Sequence, residues 1–596
     1  VQEYSSPATF DVPSTAALPD AVTEHAERTP DRVTLSRKVG DRWAPVTSAE
    51  FADQVAALAR GMIAAGVQAG DRVGILSRTR YEWTLADYAV WTAGGVPVPI
   101  YETSSAEQAQ WILSDSGAVA VVVENADHQA LVESVRTELP ALRDVWQIEA
   151  GDLDAVSARG EGVGPEQLAE RRATLSVDSL ATIIYTSGTT GRPKGCGLTH
   201  GNLLYVAELA PTVIPAMRDT DASSLLFLPL AHVFARIIEI SCIQNGARLG
   251  HTSDLADLLT DLDTFKPTFL VAVPRVFEKV YNGARQKAHG DGKGAIFDRA
   301  ERVAVSWSRA QDTGGPGLLL NLQHKLFDAL VYGKLRAAMG GEVRYALSGG
   351  APLGERLGHF FRGIGVTILE GYGLTETSGP ATVSGPDALK VGTVGRPAPD
   401  SAVRIADDGE ILVRGPQVFT GYCNNPEATA ETMRDGWFAT GDIGEIDAEG
   451  YVTITGRIKE LIVTAGGKNV SPAILEDAIR AHPLVSQCMV VGDNRPFIAA
   501  LITLDVEALP GWLESKERPA DTPLTDLVRD PEVVAEIQAA VDSANKKVSK
   551  AESIRSFEIL PIEWTVEGGQ LTPSLKLKRS VVMKEFAGEV EKIYAG

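Results

Sequence analysis

The stretch YTSGTTGRPKG, Tyr185 to Gly195, follows the apolar run LATII (Leu180 to Ile184) and packs three glycines, five hydroxyl side chains and one lysine into eleven residues. A Walker A loop would need GxxxxGK[ST] running straight into a helix. Here Lys194 sits between Pro193 and Gly195, and the following CGLTH (Cys196 to His200) reads as a strand. The segment reads as strand, loop, strand, and so is not a P-loop NTPase signature. Such a loop can still wrap a polyphosphate with its backbone N–H groups, Lys194 supplying the countercharge. Taken singly, it could equally be a polar surface turn.

The 596 residues exceed what one hydrophobic core can organise, so at least two domains are expected. A composition of 44% apolar and 22% charged residues is that of a packed globular protein. A net charge of −22 argues against nucleic acid as the main partner, because a polyanion binder needs a broad basic surface. Cys196, Cys242, Cys423 and Cys488 lie far apart, without zinc-ligand spacing or a disulfide pattern, which suggests reduced cytoplasm. The N-terminus lacks a basic start followed by an apolar core and reads as an extended arm rather than a signal peptide. Leu225 to Ile243 is long and apolar, but it holds Pro229, His232, Arg236 and Glu239, so a core strand leading into a helix is expected rather than a membrane span.

From about Leu18 to Arg275, helical spacings such as FADQVAALARGMIAAG alternate with β-rich runs such as RVGIL, AVAVVVE and TFLVAVP, the texture of a layered α/β domain with largely parallel strands. Tyr281 to Gly341 reads as amphipathic helix broken at TGGPG, and VRYALSGG returns to strand. Between about 391 and 456, ADDGEILVRG and EIDAEGYVTITG place Gly after acidic residues as hairpin turns require, marking a small β subdomain. A further α/β unit follows, its first helix started by Ser471 as N-cap and Pro472 as first helical residue. The reading is thus a large domain over residues 1–457 and a smaller α+β domain over 458–596.

Three later stretches bear on the opening loop. EGYGLTET (Glu370 to Thr377) sets an aromatic ring, two glycines, two threonines and carboxylates behind a strand. WFATGDIGEID offers Asp442. GRIKELIVTAGGKNVSP is followed by LTPSLKLKR about a hundred residues on. In this order, these segments resemble the adenylate-forming superfamily of acyl-CoA synthetases, peptide-synthetase adenylation domains and luciferases, over nearly the whole chain.

That resemblance implies activation of a carboxylate by ATP and Mg²⁺ to an acyl adenylate plus pyrophosphate, then transfer of the acyl group to the thiol of coenzyme A. It places Thr186, Ser187, Gly188, Thr189, Thr190, Gly191 and Lys194 around the β and γ phosphates, with Thr186 and Glu376 at the magnesium. Glu370, Gly371, Tyr372, Gly373 and Thr375 would line the nucleotide, Tyr372 stacked on adenine and Thr375 on the α-phosphate. Gly349, Gly350 and Ala351 would flank the adenine and acyl group, and Asp442 and Arg457 would hold the ribose. Lys576 matches the mobile catalytic lysine; many relatives carry glycine before it, where Leu575 stands here. Lys459 falls at the hinge of the small domain, and Gly466 and Gly467 at the pantetheine channel.

For the acid, LPLAHVF carries no carboxylate before His232, which disfavours an amino-acid substrate. FLPLAHVFARIIEI, VPRVFEKVY and the helical insert resemble long-chain fatty acyl-CoA synthetases. His232, Val233, Gly350 and Gly373 would border the acyl group, and Arg236 stands where some relatives have a gate tryptophan. The resemblance leaves open a fatty acyl-AMP ligase that loads a carrier protein and a silent acyl-binding homologue. Chain length, oligomeric state and peripheral membrane contact are not fixed by these residues.

Overall fold

The computed structural model describes residues 2–186, 192–254, 257–465, 468–573 and 575–595. The alternating pattern folds into layered α/β subdomains. One parallel sheet runs in the order Val96–Ile100, Arg72–Leu76, Ala120–Val123, Asp144–Gln147. A second places Ser223–Leu226 beside Arg248–His251 and Val33–Val39, edged by the antiparallel Arg42–Thr47. In a third, Phe269–Ala272, Tyr345–Ser348 and Thr367–Leu374 are parallel, and Gly379–Val383 returns antiparallel. The helix Ser48–Ala64 shows how locally this is written: Thr47 and Glu50 form a reciprocal capping box, and Phe51, Val55, Leu58 and Met62 bury one face.

The long apolar segment is a strand, Ser223–Leu226, then a helix, Val233–Asn245. Arg236 on that helix faces away from solvent, fully buried with Asp87. Its Nε donates to Asp87 at 3.1 Å and Nη1 to Thr182 Oγ1 at 2.7 Å, with the rings of Trp83 and Trp91 each 5.2 Å away. It is a core ion pair, not a gate side chain. The helical insert begins at Pro274, seven positions earlier than its spacing suggested, because VPRVFEKVY opens the helix Pro274–Gly290 with proline as its first residue. It continues as Gly294–Gln311 and, after the glycine turn, as Leu318–Phe327, the π-helical turn Asp328–Tyr332 and Gly333–Ala337.

The β subdomain is a sheet of Ala402–Ile405, Glu410–Arg414, Met433–Arg434, Trp437–Ile446 and Val452–Arg457. Gly409 and Gly450 close its hairpins with φ of 87° and 89°. The N-terminal arm adds an edge strand, Gln2–Ser5, paired antiparallel with Ala402–Ile405. Beyond Arg457, Val485–Val491, Ile498–Leu504 and Ile554–Leu560 form a sheet with its own apolar cluster, including Leu475, Ile502 and Ile537. The helix Pro472–Arg480 starts as expected, but Ser471 does not cap it. Its hydroxyl donates instead to the Thr455 carbonyl at 2.6 Å, tying this unit to the preceding strand. Further contacts bind the two parts: Arg275 to Asp505 at 2.6 Å, Lys279 to Glu507 at 2.8 Å, and Gln286 Nε2 to the Ala508 carbonyl at 3.1 Å.

Candidate active site

The loop that opened the sequence is held by a hairpin. Leu180–Thr186 and Lys194–Thr199 pair antiparallel, Thr186 directly opposite Lys194, so the segment is flanked by two paired strands and is not followed directly by a helix. Trp111 grips its far end, donating to the Pro193 carbonyl at 2.9 Å with the Arg192 guanidinium 4.7 Å over its ring. Ser187 to Gly191 lie outside the described residues, as do Gly466 and Gly467.

The strand Thr367–Leu374 carries Glu370, Gly371, Tyr372 and Gly373 toward the cleft, and Thr375 opens the short turn Thr375–Thr377. At Gly373 a Cβ would lie 1.7 Å from the Gly379 carbonyl oxygen, so the returning strand admits no side chain there. Asp442 and Arg457 face each other across neighbouring strands. The buried Asp442 carboxylate accepts from the Tyr372 hydroxyl at 2.6 Å and pairs with Arg457 Nε at 2.8 Å. Burial pushes its pKa up, and Arg457 and the Tyr372 hydrogen bond oppose that shift. Glu370 lies deeper: its carboxylate accepts the Leu353 N–H at 3.1 Å, fixing the end of the SGGAP turn, and burial lifts its pKa to about 7.

Glu376 is oriented by a residue that sequence reasoning did not single out. The Tyr422 hydroxyl donates to Glu376 Oε1 at 2.7 Å, and the Glu376 carbonyl accepts the Phe419 N–H at 2.8 Å. Tyr422 sits opposite Cys196 on a strand that extends the phosphate-loop hairpin, with Lys194 Nζ 5.1 Å from its ring centroid. Glu376 thereby lies by Cys196, whose thiol pKa is raised by burial and then by the Glu376 charge, and Cys196 Sγ is 3.8 Å from Thr186 Oγ1. A carboxylate and a hydroxyl brought together at this hairpin suit a magnesium ion, which binds through one or two protein oxygens, phosphates and water. The only sequence signal for Tyr422 was a Gly-Tyr pair 46 residues from its partner.

His232 is the N-cap of the helix Val233–Asn245, its Nδ1 accepting the Phe234 N–H at 3.1 Å. Val233 is buried beneath it, and Phe234 leans on Gly349, 3.1 Å from where a Cβ would stand. Burial, reinforced by the nearby Lys576 charge, lowers the His232 pKa to about 3, so the ring is neutral at physiological pH. Gly350, at φ 84°, turns the chain beside the exposed Ala351, and a Cβ there would lie 3.9 Å from Lys576 Cε.

Lys576 thus reaches the cleft from the C-terminal part, on a tight loop. Thr572 N donates to the Lys576 carbonyl at 2.8 Å, Lys576 N to Thr572 Oγ1 at 3.0 Å, and Lys578 N to the Gln570 carbonyl at 2.8 Å. Leu575, in the glycine position, adopts φ 61° and packs against the apolar cluster that includes Met489, Val491 and Trp564. Arg579 anchors the loop to Glu476 at 2.6 Å and to the Val490 carbonyl at 3.1 Å. Lys576 stays solvent-accessible in the cleft, but crowding by protein and then the Arg457 charge lower its pKa, while Asp442, Glu460 and Glu376 support the ammonium. Lys459 follows Arg457 in the short turn Ile458–Glu460, exposed between the two parts.

The chain is similar to known proteins along its length. The family of AMP-binding enzymes matches residues 22–423, and the AMP-binding enzyme C-terminal domain matches residues 459–596. Long-chain-fatty-acid–CoA ligase FadD15 of Mycobacterium bovis is 53% identical over 100% of both chains. Long-chain-fatty-acid–CoA ligase ACSBG2 of Xenopus laevis is 32% identical over 95% of this chain and 82% of its own. Among solved structures, the A domain of a carboxylic acid reductase from Segniliparus rugosus superimposes with a TM-score of 0.75 at 20% identity, covering 98% of this chain and 95% of the other. With Asp442 paired to Arg457, Lys576 brought to the same cleft and both family domains matched in order, the chain belongs to the AMP-binding enzymes.

Proposed function

We propose that this protein is an AMP-forming long-chain-fatty-acid–CoA ligase that works in the cytoplasm. The observation that carries the reading is Lys576, brought from a separate apolar cluster to the cleft where Asp442, Arg457, Glu376 and His232 meet. A carboxylate oxygen attacks the α-phosphorus of ATP and pyrophosphate leaves. Two anions must approach and the phosphorus gathers charge, so an ammonium placed before reaction at the meeting point lowers the barrier. Asp442, held from two sides, is set to accept ribose hydroxyls, and Tyr372 and Gly373 to line the base. Glu376 and Thr186 would hold Mg²⁺, which when bound offsets charge on the departing pyrophosphate. The neutral His232 borders the acyl carboxylate without adding a competing positive charge.

In the second step the small domain, residues 458–596, turns about Lys459. The thiol of coenzyme A loses its proton and attacks the acyl carbon, and AMP leaves. The pantetheine arm would pass Gly466 and Gly467. Incubation with palmitate, ATP, Mg²⁺ and coenzyme A tests the reading: AMP, pyrophosphate and palmitoyl-CoA should appear in equal amounts. Acyl-AMP accumulating without thioester would instead identify a carrier-loading acyl-AMP ligase, and no turnover would leave a silent homologue. Lys459→Pro, which fixes φ at the pivot, should spare adenylation and block thioester formation; equal loss of both steps removes Lys459 from the hinge.

A further inference from the structure

The helical hairpin of residues 294–337 has no part in the chemistry above, and its outward side is unlike the rest of the surface. Its two arms are locked together by Trp307 Nε1 to Asn321 Oδ1 at 2.9 Å, by Trp307 stacked on His324 at 4.3 Å, and by the Tyr332 hydroxyl to the Ala300 carbonyl at 2.7 Å. On the second arm Phe327, Tyr332 and Leu335 turn inward. The opposite face exposes Leu318 at 91%, Leu322 at 68%, Leu326 at 57% and Leu330 at 51%, a line at every fourth residue. The π turn Asp328–Tyr332 keeps Leu330 on that line while Tyr332 stays in the core. Leu319, at 71%, broadens it. Isolated exposed leucines are common, but a continuous apolar stripe marks an interaction site.

Charge identifies what the stripe meets. In a chain of net charge −22, residues 293–338 hold seven Lys and Arg against four Asp and Glu. All four acids are engaged: Asp298 with Arg285 and His289, Glu301 with Arg356, Asp312 with Arg362, and Asp328 with Arg336. Arg299, Arg302 and Arg309 on the first arm and Lys325 and Lys334 on the second are exposed, and no ion pair is seen for them among the described residues. Local charge decides the encounter, because at physiological salt the field of the distant acidic surface is screened within about 8 Å.

We infer that this hairpin docks the enzyme on an anionic lipid bilayer, the leucine line entering the boundary between headgroups and acyl chains and the basic residues meeting lipid phosphates. An amphipathic helix with leucines on one face and cations beside them is built for that depth. A second copy of the chain fits less well, since it would bring like-charged rims together. The proposal stands apart from the reaction, although an acid that partitions into membranes gives it a use.

The test is flotation of the whole protein with vesicles of phosphatidylcholine alone or containing about 30% phosphatidylglycerol, beside sedimentation velocity without lipid. The wild type should float with the anionic vesicles, weakly with the neutral ones, and less as salt rises. Leu322→Glu combined with Leu326→Glu should reduce binding about tenfold or more, and Arg299→Glu with Arg302→Glu about tenfold on anionic vesicles only. Both sites are exposed, so melting temperature and turnover of a short, water-soluble acid should not change. Failure of the wild type to float, or unchanged flotation of the leucine variant, overturns the proposal. A wild-type dimer that the leucine variant dissolves, without vesicle binding, would make the stripe a subunit interface and overturn it as well. Loss of turnover with intact flotation would count against the ligase reading and leave the docking surface standing.

Discussion

The two sides of the cleft are built in opposite ways. On the proposed nucleotide side, Asp442 is bonded to Tyr372 and Arg457, and Glu376 to Tyr422, by short hydrogen bonds or ion pairs, on strands whose register fixes who faces whom. On the lysine side a short loop carries one long side chain, secured at its base by Arg579, by its own turn and by Leu575 packed on an apolar cluster. The first arrangement is complete before a ligand arrives. In the proposed two-step mechanism the second is carried away with residues 458–596. The nucleotide side is cross-linked by its own polar groups, and the lysine loop is held by contacts within the C-terminal part.

Breaking the lysine side should have the largest effect. Lys576→Ala removes the only mobile cation assigned to the meeting point, so pyrophosphate release from palmitate and ATP should fall by about 10²–10³-fold or more, the scale of losing a preorganised electrostatic donor. Supplied palmitoyl-AMP should still become palmitoyl-CoA, and Lys578→Ala should spare both steps. Single-turnover measurements of each half-reaction decide it; parallel loss of both in Lys576→Ala, or loss of adenylation in Lys578→Ala, removes the assignment. The lowered pKa of Lys576 also places the alkaline limb of adenylation kcat/KM below the ordinary lysine value of 10.5.

On the nucleotide side the losses should be graded. Glu376→Gln keeps the Tyr422 contact but removes charge from the proposed metal site, so adenylation should drop about a hundredfold at limiting Mg²⁺. Tyr422→Phe leaves the carboxylate and frees its orientation; loss of a partner that orients a metal ligand costs about 10–100-fold in affinity. Calorimetric titration of Mg²⁺ into enzyme with a non-hydrolysable ATP analogue should show weaker binding for Tyr422→Phe, and ATP-analogue binding in EDTA should match the wild type. Equal weakening with and without Mg²⁺ would make Tyr422 a packing residue.

Glu370 sharpens the comparison through stability. Its folded pKa of about 7 exceeds the ordinary 4.5, so the folded state holds the proton more tightly. The associated stability is present below pH 4.5 and is lost as pH rises through about 7. Glu370→Gln, which keeps an acceptor for Leu353 N–H, should raise the melting temperature at pH 8 by a few degrees and leave it nearly unchanged at pH 5. An equal shift at both pH values would show that the carboxylate is ionised throughout.

The fold was legible because its elements are locally consistent: capping residues, alternating strands and acid–glycine hairpins all point one way. The polar site was legible only as motifs. Asp442 and Arg457 could be named separately, but their facing register depends on a strand bulge between Ile443 and Gly444. The same limit hid Tyr422, Ser471 and the arm strand Gln2–Ser5, whose partners lie 46, 16 and about 400 residues away. The burial of Arg236 against Asp87 was hidden for a related reason, since helical spacing gives the face of a residue but not what stands opposite it. The exposed leucine line shows the converse: its helical period was readable, but exposure needed the packed hairpin.

The smallest expected effect tests why leucine stands before the proposed catalytic lysine, where many relatives carry glycine. At Gly373 glycine is obligatory, because a Cβ would overlap a backbone oxygen. At Leu575 the backbone is also left-handed, with φ 61°, yet a side chain is present and packs on the cluster around Trp564. A left-handed leucine costs about 1–2 kcal/mol, and partial burial of the side chain returns an amount of similar size. Leu575→Gly would relieve the first, lose the second and add about 0.5–1 kcal/mol of unfolded-chain entropy, so the melting temperature should move by no more than a few degrees. What glycine cannot supply is the grip. With φ free to take either sign, the turn Thr572–Lys576 should sample other shapes and Lys576 should meet the α-phosphate less often, lowering adenylation severalfold with thioester formation from palmitoyl-AMP unchanged. Leu575→Met, which keeps an apolar side chain on the cluster, should restore most of the rate. If Leu575→Gly adenylates as fast as the wild type, the turn is shaped by its hydrogen bonds alone, and the packing of Leu575 is no part of the hold on the lysine.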